Sequence, residues 1–309
     1  MALRFGLFGT GFWAAETSGA ALAAHPDATL VGVWGRDPAK AAALAGRFGV
    51  RSYDDVDALL SEVDAVAVAL PPDVQADVAV RAAEAGRHLL LDKPLAFTLG
   101  ESDRIVAAVR RHRLASLVFF TNRFFGNVEA FLADTVRTGG WDGARATMFA
   151  SIFQPGNPYG ASPWRRERGG LWDIGPHALS VLLPVLGPVE RVAAIEGRHQ
   201  TTHLLLEHNG GAASALSLTL DAPPAATMQE FVFYGSSGVV AVPGGTGTAV
   251  GAFGVAVDQL VRAAADAAGG AVPEHPCDVR FGREVVAILV AADAARRLGR
   301  TVPVDAAPG

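Results

Sequence analysis

The first third of the chain alternates short, uniformly apolar runs with longer segments that suit helices. The apolar runs are residues 3–9, 29–35, 64–70, 88–92 and 116–120, and the segments predicted as helices are 12–24, 37–49, 54–61, 73–86 and 98–112. Strands that are apolar throughout, rather than at alternate positions, are typical of a parallel sheet covered by helices on both faces. The pattern therefore predicts a doubly wound α/β domain over residues 1–121.

After residue 121 the pattern changes. A helix is predicted near 124–138, and runs typical of strands follow at 144–153, 189–197, 201–207, 212–220 and 228–234. These runs succeed one another with turn residues between them, which favours an antiparallel sheet. Helices at about 175–186, 254–267 and 280–298 are expected to pack on one face of that sheet. Residues 122–309 are thus predicted to form an α+β domain with a mostly antiparallel open sheet, and the glycine-rich segment 235–247 is interpreted as turns.

Composition narrows the class of protein. A length of 309 residues fits two domains, and no apolar run reaches the roughly 18–20 residues that a membrane span requires. The first residues lack the basic region and cleavage site of a signal peptide. A single cysteine, Cys277, excludes an internal disulfide, fits a reducing compartment and is expected to be packed. With a net charge of −5 and no long basic run, we expect a cytoplasmic protein with a small-molecule ligand and no nucleic-acid or membrane partner.

A glycine-containing turn follows the first predicted strand. Its residues are Gly9, Thr10, Gly11, Phe12, Trp13 and Ala14. They match the form G-x-G-x-x-G/A, in which glycines permit a tight turn and close approach of the backbone to a pyrophosphate at a helix N-terminus. Because the turn joins a strand to a helix within a βαβ pattern, it predicts a dinucleotide site; the alternative is an ordinary turn.

The end of the second predicted strand bears on the choice of dinucleotide. An NAD site usually has an acidic residue there, whereas an arginine accommodates the 2′-phosphate of NADP. The acidic position is occupied by Gly35, with Arg36 next to it. NADP is therefore favoured, and NAD stays possible, since Arg36 could be a solvated residue before a helix and Asp37 only its N-cap.

Lys93 stands out because the 26 lysines and arginines include only two lysines, Lys40 and Lys93. It follows a predicted strand, and ligands of doubly wound folds gather beyond the carboxyl ends of the strands. Three strand ends are expected at that edge, and they carry Leu70 and Pro71, Asp92, Lys93 and Pro94, and Asn122 and Arg123. We interpret Lys93 as a functional residue rather than a surface cation that ends a strand.

A second candidate lies in the segment GGLWDIGPH, residues 169–177. Pro176 is tolerated only in the first turn of a helix, so a helix is predicted to begin close to Asp173 or Ile174. Asp173 and His177 would then face the same way, one turn apart. The positive helix end would favour an ionised Asp173 and keep His177 available as a base. The alternatives are an N-cap for Asp173 and a satisfied structural histidine for His177.

Taken together, these motifs resemble those of the glucose-fructose oxidoreductase, inositol dehydrogenase and MocA (Gfo/Idh/MocA) family. The resemblance rests on the glycine turn, the triplet Asp92-Lys93-Pro94 (Glu-Lys-Pro in most members), Asn122-Arg123-Phe124 and Asp173-x-Gly175-x-His177, in family order and spacing. It implies an NAD(P)-dependent oxidoreductase of sugars, cyclitols or related compounds. It also implies a Rossmann domain followed by an α+β domain whose open sheet associates into a homodimer or homotetramer.

The resemblance implies roles for the candidate residues. Lys93, Asp173 and His177 would be the catalytic group, in which His177 accepts the hydroxyl proton as hydride leaves, Lys93 hydrogen-bonds the same oxygen, and Asp173 orients His177 or binds a neighbouring hydroxyl. The residues expected to contact the cofactor are Gly9, Thr10, Gly11, Phe12, Trp13, Arg36, Leu70, Pro71, Asp92, Lys93, Pro94, Asn122 and Arg123.

Three positions depart from the family pattern. Ser180 stands where many members have a substrate-binding aspartate, Asp92 replaces the usual glutamate, and Gln75 replaces a common histidine. Trp164 and Arg165 could supply compensating substrate contacts, through an apolar face for a sugar ring and a cation for a carboxylate or phosphate, or belong to a solvated basic loop. His199, His203 and His208 lack a compatible ligand cluster, so no metal site is expected.

Two other functions stay open. Some relatives keep the fold but not the catalysis and act as cofactor sensors, although the presence of both Lys93 and His177 argues for an enzyme. Another class is a redox-assisted glycosidase, in which transient oxidation activates a glycosidic bond. The fold alone does not choose among them.

Overall fold

The computed structural model describes residues 2–269 and 273–304, and these divide into two compact units. The first unit comprises the residues up to Phe124 together with the described part of Gly247–Arg283. The second comprises Phe125–Thr246 and the described residues from Glu284 onward. The units therefore differ from the predicted segments 1–121 and 122–309 mainly in the assignment of residues 247–283. In the described part of the chain, no helix is long and apolar enough to cross a membrane.

A six-stranded parallel sheet forms the centre of the first unit. Its strands are β1 (Leu3–Phe8), β2 (Ala28–Trp34), β3 (Arg51–Tyr53), β4 (Ala65–Val68), β5 (His88–Asp92) and β6 (Ser116–Phe119), in the order β3-β2-β1-β4-β5-β6. β4 and β6 are buried at every position, as expected of strands covered on both faces. The prediction of a doubly wound domain is confirmed.

Several of the helices that follow these strands begin or end at residues that cap them. A π-helical segment, Ala14–Gly19, runs into α1 (Ala20–Ala24), and α2 (Pro38–Phe48), α3 (Val56–Ser61), α4 (Pro72–Glu84) and α5 (Leu99–Arg111) follow. The Asp37 carboxylate caps α2 by accepting from two backbone N–H groups, and Gly49 ends it in the left-handed conformation. Thr98 and Glu101 form a capping box at α5.

Residues near the end of the chain complete the first unit. Helix α9 (Ala249–Ala268) was expected on the second sheet, but it contacts β5, β6 and α1 of the first unit. The aromatic ring of Phe253 in α9 packs edge-on against the ring of Phe119 in β6, with the two ring centroids 4.9 Å apart. The backbone carbonyl of the buried Cys277 accepts the Val118 N–H at 2.7 Å. This hydrogen bond gives the edge strand β6 a backbone partner.

A seven-stranded sheet forms the second unit. Its strands are β7 (Trp141–Phe149), β8 (Val189–Glu196), β9 (Thr202–His208), β10 (Ala213–Thr219), β11 (Met228–Gly235), β12 (Gly238–Ala241) and β13 (Val302–Pro303), in the order β12-β11-β7-β10-β9-β8-β13. Only the β7–β10 pair is parallel among these strands, so the predicted mostly antiparallel sheet is confirmed. Within segment 235–247, residues 236 and 237 form the hairpin turn between β11 and β12.

The two faces of this sheet differ in burial. The helices of the unit are α6 (Gly126–Thr138), α7 (Pro163–Asp173), α8 (Gly175–Leu186) and the second unit's part of α10 (Val279–Leu298). Alternate positions of β8 to β10 point into the core, among them Val192, Leu204 and Leu216. On the opposite face, Ile195 and Leu205 are 68% and 63% exposed.

Two of the three histidines considered for a metal site, His203 and His208, hydrogen-bond other groups. His208 Nδ1 lies 2.8 Å from the Gly187 carbonyl, to which it must donate, so Nε2 accepts from the Ser214 hydroxyl at 2.8 Å. Burial lowers the pKa of His208, against the opposing effect of the Gly187 carbonyl. His203 pairs with the Ser217 hydroxyl at 2.9 Å. Within residues 2–269 and 273–304, no cluster of three metal-ligating side chains occurs.

Candidate functional site

The strand ends of the first unit carry most of the predicted cofactor residues. Gly9 follows β1, Arg36 follows β2, Leu70 and Pro71 follow β4, Asp92, Lys93 and Pro94 lie at the end of β5, and Asn122 and Arg123 lie in the 3₁₀ turn after β6. All these ends face one edge, because the sheet is parallel. Between β1 and β4 the strand order changes direction, which is where doubly wound sheets bind their ligands. The structure therefore brings these residues to the expected edge.

The two glycines of the turn have different structural requirements. Gly9 has φ +132°, and a Cβ there would lie 2.4 Å from the Ala69 carbonyl oxygen, so the fold itself demands glycine. Gly11 has an ordinary φ, and a Cβ on it would meet no atom within 4 Å. Gly11 and Phe12 are exposed at the start of the first helix. The open space over Gly11 and the adjacent helix N-terminus fit the pyrophosphate of a dinucleotide.

Gly35, at the position after β2, lies against Thr10 of the glycine turn. A Cβ on Gly35 would lie 2.5 Å from Thr10 Cγ2, so a side chain at this position would require the Thr10 side chain to move. Arg36 is exposed and follows directly. An arginine thus lies at the strand end where NAD sites usually carry a carboxylate.

The loop that carries Lys93 is held by two side chains. The Asp92 carboxylate accepts the Lys93 N–H at 2.8 Å, and the Lys93–Pro94 peptide is cis. Gln75, buried in α4, hydrogen-bonds the backbone of residues 92 and 94. Lys93 itself is half-buried. The carboxylate of Asp92, a residue expected to contact the cofactor, therefore hydrogen-bonds the backbone of its own loop.

In the second unit, Asp173 lies at the junction of two helices. A helix begins close to Ile174, as Pro176 predicted: Asp173 ends α7, Ile174 is the N-cap of α8, and α8 begins at Gly175 with Pro176 in its first turn. Gly169 breaks α7 with φ +65°. A Cβ on Gly170 would lie 2.8 Å from Thr219 Cα, so only glycine lets this segment pass so close to β10. Asp173 thus directly precedes the N-cap of α8 and does not itself occupy the N-cap position.

One partner of Asp173 is Arg165, which the sequence analysis considered either as a substrate contact or as part of a solvated basic loop. Arg165 Nε donates to the Asp173 carboxylate at 3.0 Å, and both side chains are largely buried. The Arg165 guanidinium also lies 4.6 Å from the Trp164 ring centroid and 5.1 Å from that of Tyr159. This arrangement fixes the Asp173 carboxylate and supplies it with a counter-charge.

His177 lies in the first turn of α8 and is half-buried. Its backbone N–H donates to Ile174 at 3.1 Å, and its carbonyl accepts the Ser180 hydroxyl at 2.8 Å. Ser180 is fully buried, and its hydroxyl, at the position where many family members have an aspartate, donates to a carbonyl of its own helix. In the second unit, Arg165 thus contacts both Asp173 and Trp164. His177 follows Asp173 by four residues along the chain, in the first turn of α8.

Two contacts near the cofactor edge were not predicted from the sequence. They are the hydrogen bonds of Gln75 to the loop that carries Lys93, and the packing of Thr10 against Gly35. The signal for Gln75 was an uncharged polar residue among the buried apolar positions of α4, such as Ala76 and Ala79. Thr10 gave no signal beyond its place in the glycine turn.

Comparison with known proteins agrees with the fold and the motifs. Residues 3–120 match the profile described as "Oxidoreductase family, NAD-binding Rossmann fold", and residues 140–241 match the Gfo/Idh/MocA C-terminal domain. The dTDP-3,4-didehydro-2,6-dideoxy-α-D-glucose 3-reductase of Streptomyces antibioticus is 31% identical over 247 residues, which cover 76% of this chain and 74% of the relative.

Solved structures share the fold over nearly the full length. The WlbA dehydrogenase of Bordetella pertussis, in complex with NADH and UDP-GlcNAcA, has a TM-score of 0.84 at 22% identity and covers 99% of each chain. A levoglucosan dehydrogenase in complex with NADH and levoglucosan has a TM-score of 0.84 at 20% identity, with 99% of this chain and 100% of that chain covered. On the profile matches and the extent of identity, the chain belongs to the Gfo/Idh/MocA family of oxidoreductases, with an NAD-binding Rossmann fold.

Proposed function

We propose that the protein is an NAD(P)-dependent dehydrogenase or reductase that acts on a carbinol or carbonyl carbon of a sugar, cyclitol or related cyclic hydroxylated compound. The observation that carries the proposal is Lys93, an uncommon lysine on a loop tied down at the carboxyl edge of the Rossmann sheet. Membership of the family and the names of the relatives support the same class of reaction.

Each proposed catalytic residue has a chemical task. The bound nicotinamide supplies or accepts the hydride. His177 takes the hydroxyl proton during oxidation and returns it during reduction. Lys93 donates a hydrogen bond to the same substrate oxygen and stabilises its developing negative charge. Asp173, held by Arg165 at 3.0 Å, orients His177 or binds a neighbouring hydroxyl.

A substrate panel tests this proposal. The panel contains sugars, cyclitols and dTDP- or UDP-linked keto-sugars, with oxidation and reduction followed at the nicotinamide absorbance in the presence of either cofactor. We expect hydride exchange with at least one compound. If no member of a broad panel exchanges hydride while the cofactor binds, the protein acts as a cofactor sensor and the proposed activity is wrong.

We further propose a preference for NADP over NAD. Arg36 is exposed beyond β2, and the contact between Gly35 and Thr10 leaves little room for a ribose-binding carboxylate. Arg36 would bind the 2′-phosphate through charge-assisted hydrogen bonds.

Replacing Arg36 by aspartate is expected to weaken NADP(H) binding by roughly 10- to 100-fold, since hydrogen bonds to charged groups contribute about 1.5–3 kcal/mol. The same change should improve NAD(H) binding. Isothermal titration with both cofactors measures the effect, and Lys40→Asp, which removes a cation from the first turn of α2, is the control. Equal or tighter binding of NAD(H) by the wild-type protein would overturn the preference.

We also propose association of the protein into a homodimer or homotetramer through the exposed face of the second sheet. Ile195 and Leu205 project from this face, and alanines flank Leu205 on both neighbouring strands. Burying such apolar surface against a second copy would remove it from water, at about 25 cal/mol per Å².

Leu205→Glu is accordingly expected to convert the oligomer to a monomer without loss of folding, because the side chain is exposed within its own chain. Light scattering coupled to size-exclusion chromatography measures the mass. Val136→Glu, which replaces an exposed apolar residue on α6, should leave the mass unchanged. A monomeric wild-type protein, or an unchanged mass for Leu205→Glu, would contradict the proposed interface.

A further inference from the structure

Gln75 is a fully buried amide in the first unit, with 0% of its surface exposed. It lies in the first turns of α4, where its neighbours on the buried side include Ala76 and Ala79. A buried polar side chain is stable only when its hydrogen bonds are made. The position therefore requires partners that use both the carbonyl and the amino group of the amide.

Those partners are backbone groups on both sides of Lys93. Gln75 Oε1 accepts the Asp92 N–H at 3.0 Å. Gln75 Nε2 donates to the Asp92 carbonyl at 2.7 Å and to the Pro94 carbonyl at 3.0 Å, with the Leu95 carbonyl at 3.3 Å. A single side chain thus ties residues 92 to 95 to α4.

These contacts require a side chain that is uncharged and that both donates and accepts hydrogen bonds. An ionised glutamate could accept from Asp92 but would set its negative charge against the carbonyl oxygens that Nε2 now contacts. An apolar side chain would leave these groups without their partner. An imidazole offers one acceptor and one donor, so histidine can reproduce part of the arrangement.

We propose that Gln75 is a positioning residue, which fixes the backbone of Asp92–Leu95 and thereby sets where the Lys93 ammonium lies. The inference rests on the proposed function, in which Lys93 hydrogen-bonds the reacting oxygen. Displacement of a catalytic group by about 1 Å can lower the rate on the order of 10²-fold. Loss of Gln75 should therefore affect turnover through Lys93.

The position of Lys93 can be observed without any substrate. The chain has two lysines, so protein labelled with ¹³C at the lysine ε-carbon gives two assignable NMR signals. In Gln75→Met, which keeps the length of the side chain but not its hydrogen bonds, we expect the Lys93 signal to move. The signal of Lys40, whose side chain is 70% exposed, is the internal reference and should stay in place.

Turnover of a substrate from the panel provides the second measurement. Gln75→Met should lower kcat about 10-fold or more, with little change in cofactor affinity, and Gln75→His should recover part of the loss. In a Lys93→Ala background the same substitution should have no further effect. Gln259→Met, which removes another amide hydrogen bond of the first unit, is the matched control and should change neither kcat nor the Lys93 signal.

The outcomes separate this inference from the proposed function. An unmoved Lys93 signal in a folded Gln75→Met protein, or an equal rate loss with and without Lys93, would overturn the positioning role. A moved signal together with wild-type turnover in Lys93→Ala would support the positioning of Lys93 but overturn its catalytic role. If Gln75→Met does not fold, Gln75→Asn, whose amide is one methylene shorter, tests the same displacement.

Discussion

Lys93→Ala and His177→Ala are each expected to lower turnover by about 100-fold or more while the protein still binds its cofactor. The size follows from the contribution of a positioned acid or base, roughly 10²- to 10⁴-fold. In the proposed mechanism, alanine at position 93 removes the hydrogen bond to the substrate oxygen, and alanine at position 177 removes the proton acceptor. Steady-state rates and cofactor titrations, measured on the same preparations, separate the two effects.

The other lysine supplies the control for this experiment. Lys40 is exposed and pairs with Asp37 at the start of α2, so Lys40→Ala should turn over like the wild-type protein. The catalytic assignment is wrong if both Lys93→Ala and His177→Ala keep near-wild-type turnover. A selective loss of cofactor binding would instead assign Lys93 to the cofactor alone.

Gly11→Val is expected to weaken cofactor binding at least about 10-fold and to change stability little. The backbone of Gly11 suits any residue, and a Cβ there meets no protein atom within 4 Å. A valine would therefore intrude only on a ligand, whose pyrophosphate would lose charge-assisted hydrogen bonds of about 1.5–3 kcal/mol each. Fluorescence titration with the reduced cofactor measures affinity, and thermal unfolding measures stability.

Gly9→Ala is the matched comparison and should behave in the opposite way. Its φ of +132° and the 2.4 Å approach to Ala69 mean that alanine strains the fold itself, so its melting temperature should fall. Wild-type cofactor affinity in Gly11→Val would show that the space over Gly11 is not where the pyrophosphate binds.

Much of the fold could be predicted because the relevant signals are local. Uniformly apolar strands such as β4 indicate burial on both faces, and Asp37, Gly49 and Thr98 mark helix ends by capping that needs only neighbouring residues. The surface on which a helix packs is not local information. The apolar stripe of α9 predicts a buried face, but not that Phe253 packs against Phe119 of the first unit.

The same distinction applies to the candidate site. Lys93 could be singled out from composition and its place after a strand, whereas Gln75 acts on backbone groups 17 to 20 residues away that have no sequence signature. The start of α8 close to Ile174 could be predicted from Pro176, which is tolerated only in the first turn of a helix. The need for Gly170 arises from Thr219, which is distant in the sequence.

The hydrogen bond from Val118 to Cys277 also bears on how the cofactor-binding unit becomes complete during synthesis. Its six strands are all made by residue 119, yet the carbonyl that accepts the Val118 N–H of β6 comes from residue 277, and one of the rings that pack on Phe119 comes from residue 253. The ribosome makes β7 to β12 of the second sheet before it reaches either of them. The unit that begins first along the chain therefore acquires these native contacts only after β7 to β12 of the other unit have been made, and a fragment that stops at Phe124 lacks them.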